Sequence, residues 1–85
     1  MKQRHLLTGW MTQVRISHAD LLGALVDDLR QRPDTVVAVT GPNTIEVSLL
    51  GSYHVEAMKL AVDLRLRAWE AAQRAQGRDV HLEII

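Results

Sequence analysis

The order of hydrophobic periods along this chain predicts an α+β fold. The arrangement expected is a ferredoxin-like βαββαβ two-layer sandwich, with both helices on one face of a four-stranded antiparallel sheet. Three observations carry that expectation. Alternating stretches of period two fall at Met11–Ile16, Thr35–Thr40, Thr44–Leu50 and Asp79–Ile85, as half-buried strands require. Stretches of helical period fall between them, at His18–Gln31 and His54–Gln76. Three turn formers in a row, Gly41-Pro42-Asn43, separate the two middle strands and mark a hairpin. The runner-up is αββαβ with a three-stranded sheet, because Met11–Ile16 carries the weakest pattern of the four.

In the first strand Val14 and Ile16 point one way, Gln13 and Arg15 the other. Ser17 is placed to cap the first helix, with Asp20 near its positive end. Leu22, Leu25, Val26 and Leu29 then recur at the spacing of a one-sided helix, and Pro33 forces its end. If the hairpin loop is the three turn residues, Val39 faces Ile45 and Val37 faces Val47, and facing residues share a side of the sheet. The core side would hold Val37, Val39, Ile45, Val47 and Leu49. The other side would hold Val36, Ala38, Glu46, Ser48 and Leu50.

Ser52 is the expected cap of the long helix, and Gly77 its C-terminal stop. Glu56, Lys59, Asp63, Arg67, Glu70 and Arg74 alternate in sign down one side, a solvated ladder. The rest of the circumference is apolar over roughly 240°, far more than the ~100° a surface helix needs. The sheet and the first helix can cover only part of it. Arg65 falls within that arc, where an unpaired guanidinium is costly to bury. It must reach the rim, pair with an acid such as Asp27 or Asp28, or lie at a subunit contact. Val80, Leu82 and Ile84 alternate with His81, Glu83 and Ile85 in the final strand.

The chain has 85 residues, enough for one small domain at 11–85 preceded by a loose tail at 1–10. It has no cysteine and no phenylalanine, so neither disulfides nor thiolate metal sites contribute and the core is aliphatic. Lys+Arg equals Asp+Glu at ten each, a net charge of zero. That argues against nucleic acid as a partner, because phosphate contacts need a positive surplus, and it permits self-association. No stretch has the ~20 apolar residues of a membrane span, so we expect a cytoplasmic protein with no membrane partner. Eight arginines to two lysines, with many alanines, suggest a GC-rich bacterial genome.

In the ferredoxin-like order 4-1-3-2 one sheet face stays open. It would present Arg15 between Glu83 and Glu46, with Ser48 and His81 nearby and Val36 and Ala38 as an apolar strip. The second strand would be an edge, Val36-Val37-Ala38-Val39, with no charge, proline or bulge to guard it, and such edges invite pairing. With Arg65 these residues form the expected interaction surface: Arg15, Val36, Ala38, Glu46, Ser48, Arg65, His81 and Glu83. The partner expected is a second copy, as a homodimer, or another protein.

No catalytic residue, cofactor or metal is assigned. His81 and Glu83 share a face, yet two ligands at common spacing describe a solvated face far more often than a metal site. Ser48 near His81 lacks the sequence context of a nucleophile elbow or oxyanion hole. The hairpin loop lacks phosphate-loop spacing, and the central strands offer no ring on which a base could stack.

Some runs resemble known families. Ala19–Val39, with Asp20-Leu21-Leu22 opening a helix, is similar to part of an ACT regulatory domain, although Ser17-His18 stands where such domains place a glycine. Thr35–Leu82, with Gly41, Val47-Ser48-Leu49-Leu50-Gly51 and Gly77, resembles a BON domain. The pattern Leu66…Trp69…Asp79-Val80-His81-Leu82-Glu83-Ile84 is similar to the end of small actinobacterial effector-associated components. None carries over a functional residue. The expectation is therefore a small self-associating interaction or regulatory domain. The alternative is a small-ligand- or metal-dependent enzyme or sensor that uses the open face.

Overall fold

A computed structural model describes residues 11–51 and 54–85. The expected tail, 1–10, and the expected cap Ser52 lie outside the described residues. The elements run β1 (Thr12–Ile16), a 3-10 turn (Ala19–Leu21), α1 (Leu22–Arg30), β2 (Thr35–Val39), β3 (Thr44–Leu49), α2 (Val55–Ala75) and β4 (Leu82–Ile84). The strands form one four-stranded sheet, all neighbours antiparallel, in the order β2-β3-β1-β4. The fold is thus α+β, with β1 inside the sheet.

Alternation decides which sheet face is covered. Val14 and Ile16 of β1 are buried, and so are Ile45, Val47 and Leu49 of β3, while Gln13 and Arg15 between them are exposed. Leu25, Val26 and Leu29 of α1 and Met58, Val62, Leu66 and Trp69 of α2 pack with those strand residues in one cluster. Both helices therefore lie on the same side. Burying each of these large side chains stabilises the fold by roughly 1.5–3 kcal/mol.

The hairpin has the expected register, Val39 opposite Ile45 and Val37 opposite Val47. Val39 itself is a correction, since it is 55% exposed. It stands at the corner of the sheet, beside the turn, with a strand on one side only. Ser17 is a second correction. Its hydroxyl meets His18 Nδ1 at 2.8 Å and accepts the His81 N–H at 2.9 Å, so it caps no helix. The chain enters α1 through the 3-10 turn instead.

After Arg30 the chain leaves the helix through Gln31, and Pro33, three residues on, keeps it from continuing. At the end of α2, Gly77 has a φ of 84°. Its N–H donates to Arg74 C=O and the Arg78 N–H donates to Gln73 C=O. That pair of bonds is a Schellman motif, which needs a left-handed residue at this position.

Candidate interaction surface

On the open face the register sets the neighbours. Arg15 sits between Glu83 of β4 and Thr44 of β3, and it forms an ion pair with Glu83. Glu46 lies opposite Gln13 and Ala38, two residues along from Arg15. The expected Glu46–Arg15–Glu83 row is corrected to Thr44–Arg15–Glu83. The Ile16 N–H donates to Asn43 C=O at 2.9 Å, which carries this register of β1 into the hairpin turn.

Ser48 lies opposite Val36, and its hydroxyl lies 4.0 Å from Met58 Sδ. His81 is held at the other side of the sheet by Ser17, its Nε2 3.3 Å from Asp79 Oδ1. Strand β1 thus separates Ser48 from His81, and the two do not form a nucleophile–base pair. Arg15, Ile16, Ser17, Asn43, His81 and Glu83 line an open cleft of about 340 Å³. Among the described residues no cluster of three or more His, Asp or Glu could hold a metal ion.

The edges of the sheet differ from expectation. In β2 the even-numbered residues bond to β3, as Leu50 N–H to Asp34 C=O and Thr40 N–H to Thr44 C=O show. The odd-numbered residues turn their backbone groups outward. There the Thr35 N–H donates to Arg32 C=O at 3.1 Å, and the Arg30 guanidinium donates to Val37 C=O at 3.2 Å. So the edge read as unguarded is partly covered by α1 and the loop after it. Val36 and Ala38 remain exposed beside it.

Strand β4 is covered more completely. Its Leu82 turns both backbone groups away from β1, because Glu83 and its odd-numbered neighbours bond inward. The Leu82 N–H donates to Glu70 Oε2 at 2.5 Å, and Arg67 Nη1 donates to Leu82 C=O at 3.0 Å. Arg67 also binds Glu70 at 2.8 Å and Asp63 at 3.1 Å. Two side chains of α2 together offer Leu82 the acceptor and donor that a fifth strand would offer. Glu70, only 6% exposed, is therefore not a rung of a solvated ladder. Its hydrogen bond holds the Arg67 guanidinium more firmly protonated than usual.

Arg65 reaches the start of β2. It binds Asp34 through two nitrogens, at 3.0 and 3.3 Å, and Thr35 Oγ1 at 2.6 Å. Its partner is Asp34, not Asp27 or Asp28, because the loop after Pro33 brings Asp34 beneath the helix. The Arg65 guanidinium holds the Asp34 carboxyl below its ordinary value of 3.8.

Among the described residues the outer side of α2 has no such partners. Leu60 is 61% and Leu64 64% exposed, and Ala57, Ala68, Ala71, Ala72 and Ala75 are exposed around them. The buried stripe Met58, Val62, Leu66, Trp69 and Gln73 faces the sheet from the opposite side. The apolar arc in the sequence is thus two faces, one covered by the core and one left to solvent. Sequence reasoning found the excess arc and placed Arg65 in it. It missed Glu70 and Arg67, whose alternating charges look like any exposed ladder. No described helix is long and apolar enough to cross a membrane.

Comparison with protein-family models, with curated proteins and with solved structures finds no match.

Proposed function

We propose that this chain is a small self-associating protein-interaction domain on a ferredoxin-like βαββαβ scaffold. The observation that carries the reading is the uncovered apolar face of α2, centred on Leu60 and Leu64. A continuous apolar helix face at the surface is a common mark of a protein contact. The net charge of zero adds no repulsion between copies. The edges of the sheet are poorer candidates, because helix side chains already occupy outward backbone groups at Val37 and Leu82.

Sedimentation velocity from micromolar to millimolar concentration tests this reading. The mass should rise with concentration in the native chain and stay that of one protomer in Leu64→Glu. A native chain that remains a single protomer throughout would overturn it. A second reading, a small-ligand sensor, is favoured by the cleft beside Arg15 and His81. Zinc or small carboxylates added without any shift in the NMR signals of either residue would remove it.

A further inference from the structure

We infer that the partner of the α2 face is a second copy of the same helix, laid antiparallel about a two-fold axis close to residues 65–66. This rests on the self-association proposed above and adds its geometry. The outer face contains a second hydrophobic register besides the one that meets the core. Ala57, Ala61, Leu64, Ala68, Ala71 and Ala75 follow one another at steps of four and three, the period of a seam between two helices; all are exposed except Ala61, which is half-buried at the margin against the core. At about 100° per residue these positions centre some 140–150° away from the buried stripe.

The seam reads the same from both ends. Ala57 is as far from residue 66 as Ala75, Ala61 as far as Ala71, and Leu64 as far as Ala68. An antiparallel copy therefore sets each seam residue opposite another seam residue. A C2 contact demands a self-complementary patch of this kind.

The charges choose between antiparallel and parallel. On one flank of the seam they run Glu56, Lys59, Asp63, Arg67, Glu70, Arg74. The signs reverse about residue 65. A two-fold axis that makes the helices antiparallel brings this flank against the same flank of the copy, read backwards. Glu56 then approaches the copy's position 74, an arginine, and Asp63 approaches position 67, another arginine. In a parallel copy the two-fold axis runs along the helices and carries this flank to the opposite side of the pair, so these attractive pairs do not form. Arg67 and Glu70 are already engaged at Leu82. Glu56 and Arg74 are exposed, and no ion pair among the described residues includes either. They are the pair left to read a partner. The face is about 31 Å long and about 10 Å wide, or about 300 Å² per copy. A standard interface covers ~800 Å² per partner, so the contact is weak and reversible.

The test uses the full chain. Glu56→Arg and Arg74→Glu should each weaken self-association, on the order of tenfold, since two symmetric pairs pass from attraction to repulsion. The double variant should recover native association. Mixing the two single variants should yield a heterodimer tighter than either homodimer. Circular dichroism and urea unfolding confirm that each variant is folded. The chain has no cysteine, so a second measurement is clean: Ala57→Cys mixed with Ala75→Cys should form the mixed disulfide in preference to either like pair. Like-pair disulfides at 57, or a mixture no tighter than its parents, overturn the antiparallel geometry even if the native chain self-associates. A native chain that never exceeds one protomer overturns both the geometry and the association on which it rests.

Discussion

Replacing Glu70 by alanine tests how β4 is held. The carboxylate is buried, accepts the Leu82 N–H at 2.5 Å, and fixes Arg67, whose guanidinium donates to Leu82 C=O. A hydrogen bond to a charged group contributes roughly 1.5–3 kcal/mol, and a buried donor left without an acceptor costs about 1–3 kcal/mol. These overlap, since both describe the same N–H, so Glu70→Ala should lose about 3 kcal/mol, a large part of the 5–15 kcal/mol a small domain has. At ~4–8 °C per kcal/mol the melting temperature should fall by about 12–24 °C. Glu70→Gln keeps the shape and one oxygen that can accept the same bond, and should cost only about 1 kcal/mol. Urea unfolding gives the free energies, and hydrogen exchange at the Leu82 amide gives the local effect. The amide should lose protection in the alanine variant and retain most of it in the glutamine variant. An alanine variant within ~0.5 kcal/mol of the native chain, the scatter of ordinary surface changes, would refute the reasoning. So would unchanged protection at Leu82.

Three more outcomes concern the core, the end of α2 and the start of β2. Leu66 is fully buried between helix and sheet, and Leu66→Ala should cost about 2–5 kcal/mol in urea unfolding, depending on how far the site collapses. Gly77→Ala should cost about 1–2 kcal/mol, the strain of a side chain at a left-handed backbone position. No atom of the described residues crowds that position, so the loss should appear in stability with an unchanged fold by NMR. Asp34 binds its proton less readily folded than unfolded, because Arg65 lowers its folded value below 3.8. Its contribution is therefore complete above pH 3.8 and drains away as the pH falls through the lowered value. The gap in urea midpoint between the native chain and Asp34→Asn should narrow on acidification. A gap constant with pH would count against the Arg65–Asp34 bond.

The sequence made the strands and helices legible because each has a one-sided pattern. Leu22, Leu25, Val26 and Leu29 can share a face only in a helix, and Val14 with Ile16 only in a strand. Gly41-Pro42-Asn43 fixed the hairpin register, as Val37 opposite Val47 shows. What stayed illegible depends on distances between elements. The offset of β1 against β3 put Thr44, not Glu46, beside Arg15. A pattern of period two allows either, since a shift of two residues keeps every side chain on its face. Arg30 at Val37 and Glu70 at Leu82 are bonds from side chain to distant backbone, and no local period encodes them. The candidate surface was partly legible. The broad apolar arc pointed to α2, but at Arg65, which Asp34 and Thr35 engage, and not at the exposed Leu60 and Leu64, whereas the second-strand edge looked open because nothing in Val36–Val39 itself protects it.

The borders of the sheet are guarded by residues that belong to the helices. The guard is therefore only as durable as the docking of those helices. When α2 lifts, the Glu70 carboxylate leaves with it, and the peptide groups of Leu82 become sticky to any extended chain nearby. When α1 lifts, Val37 is bared within an uncharged run of valines and alanine. Aggregation in this molecule should thus start from partly opened states and not from the native one, and conditions that loosen a helix before the sheet melts are the hazardous ones.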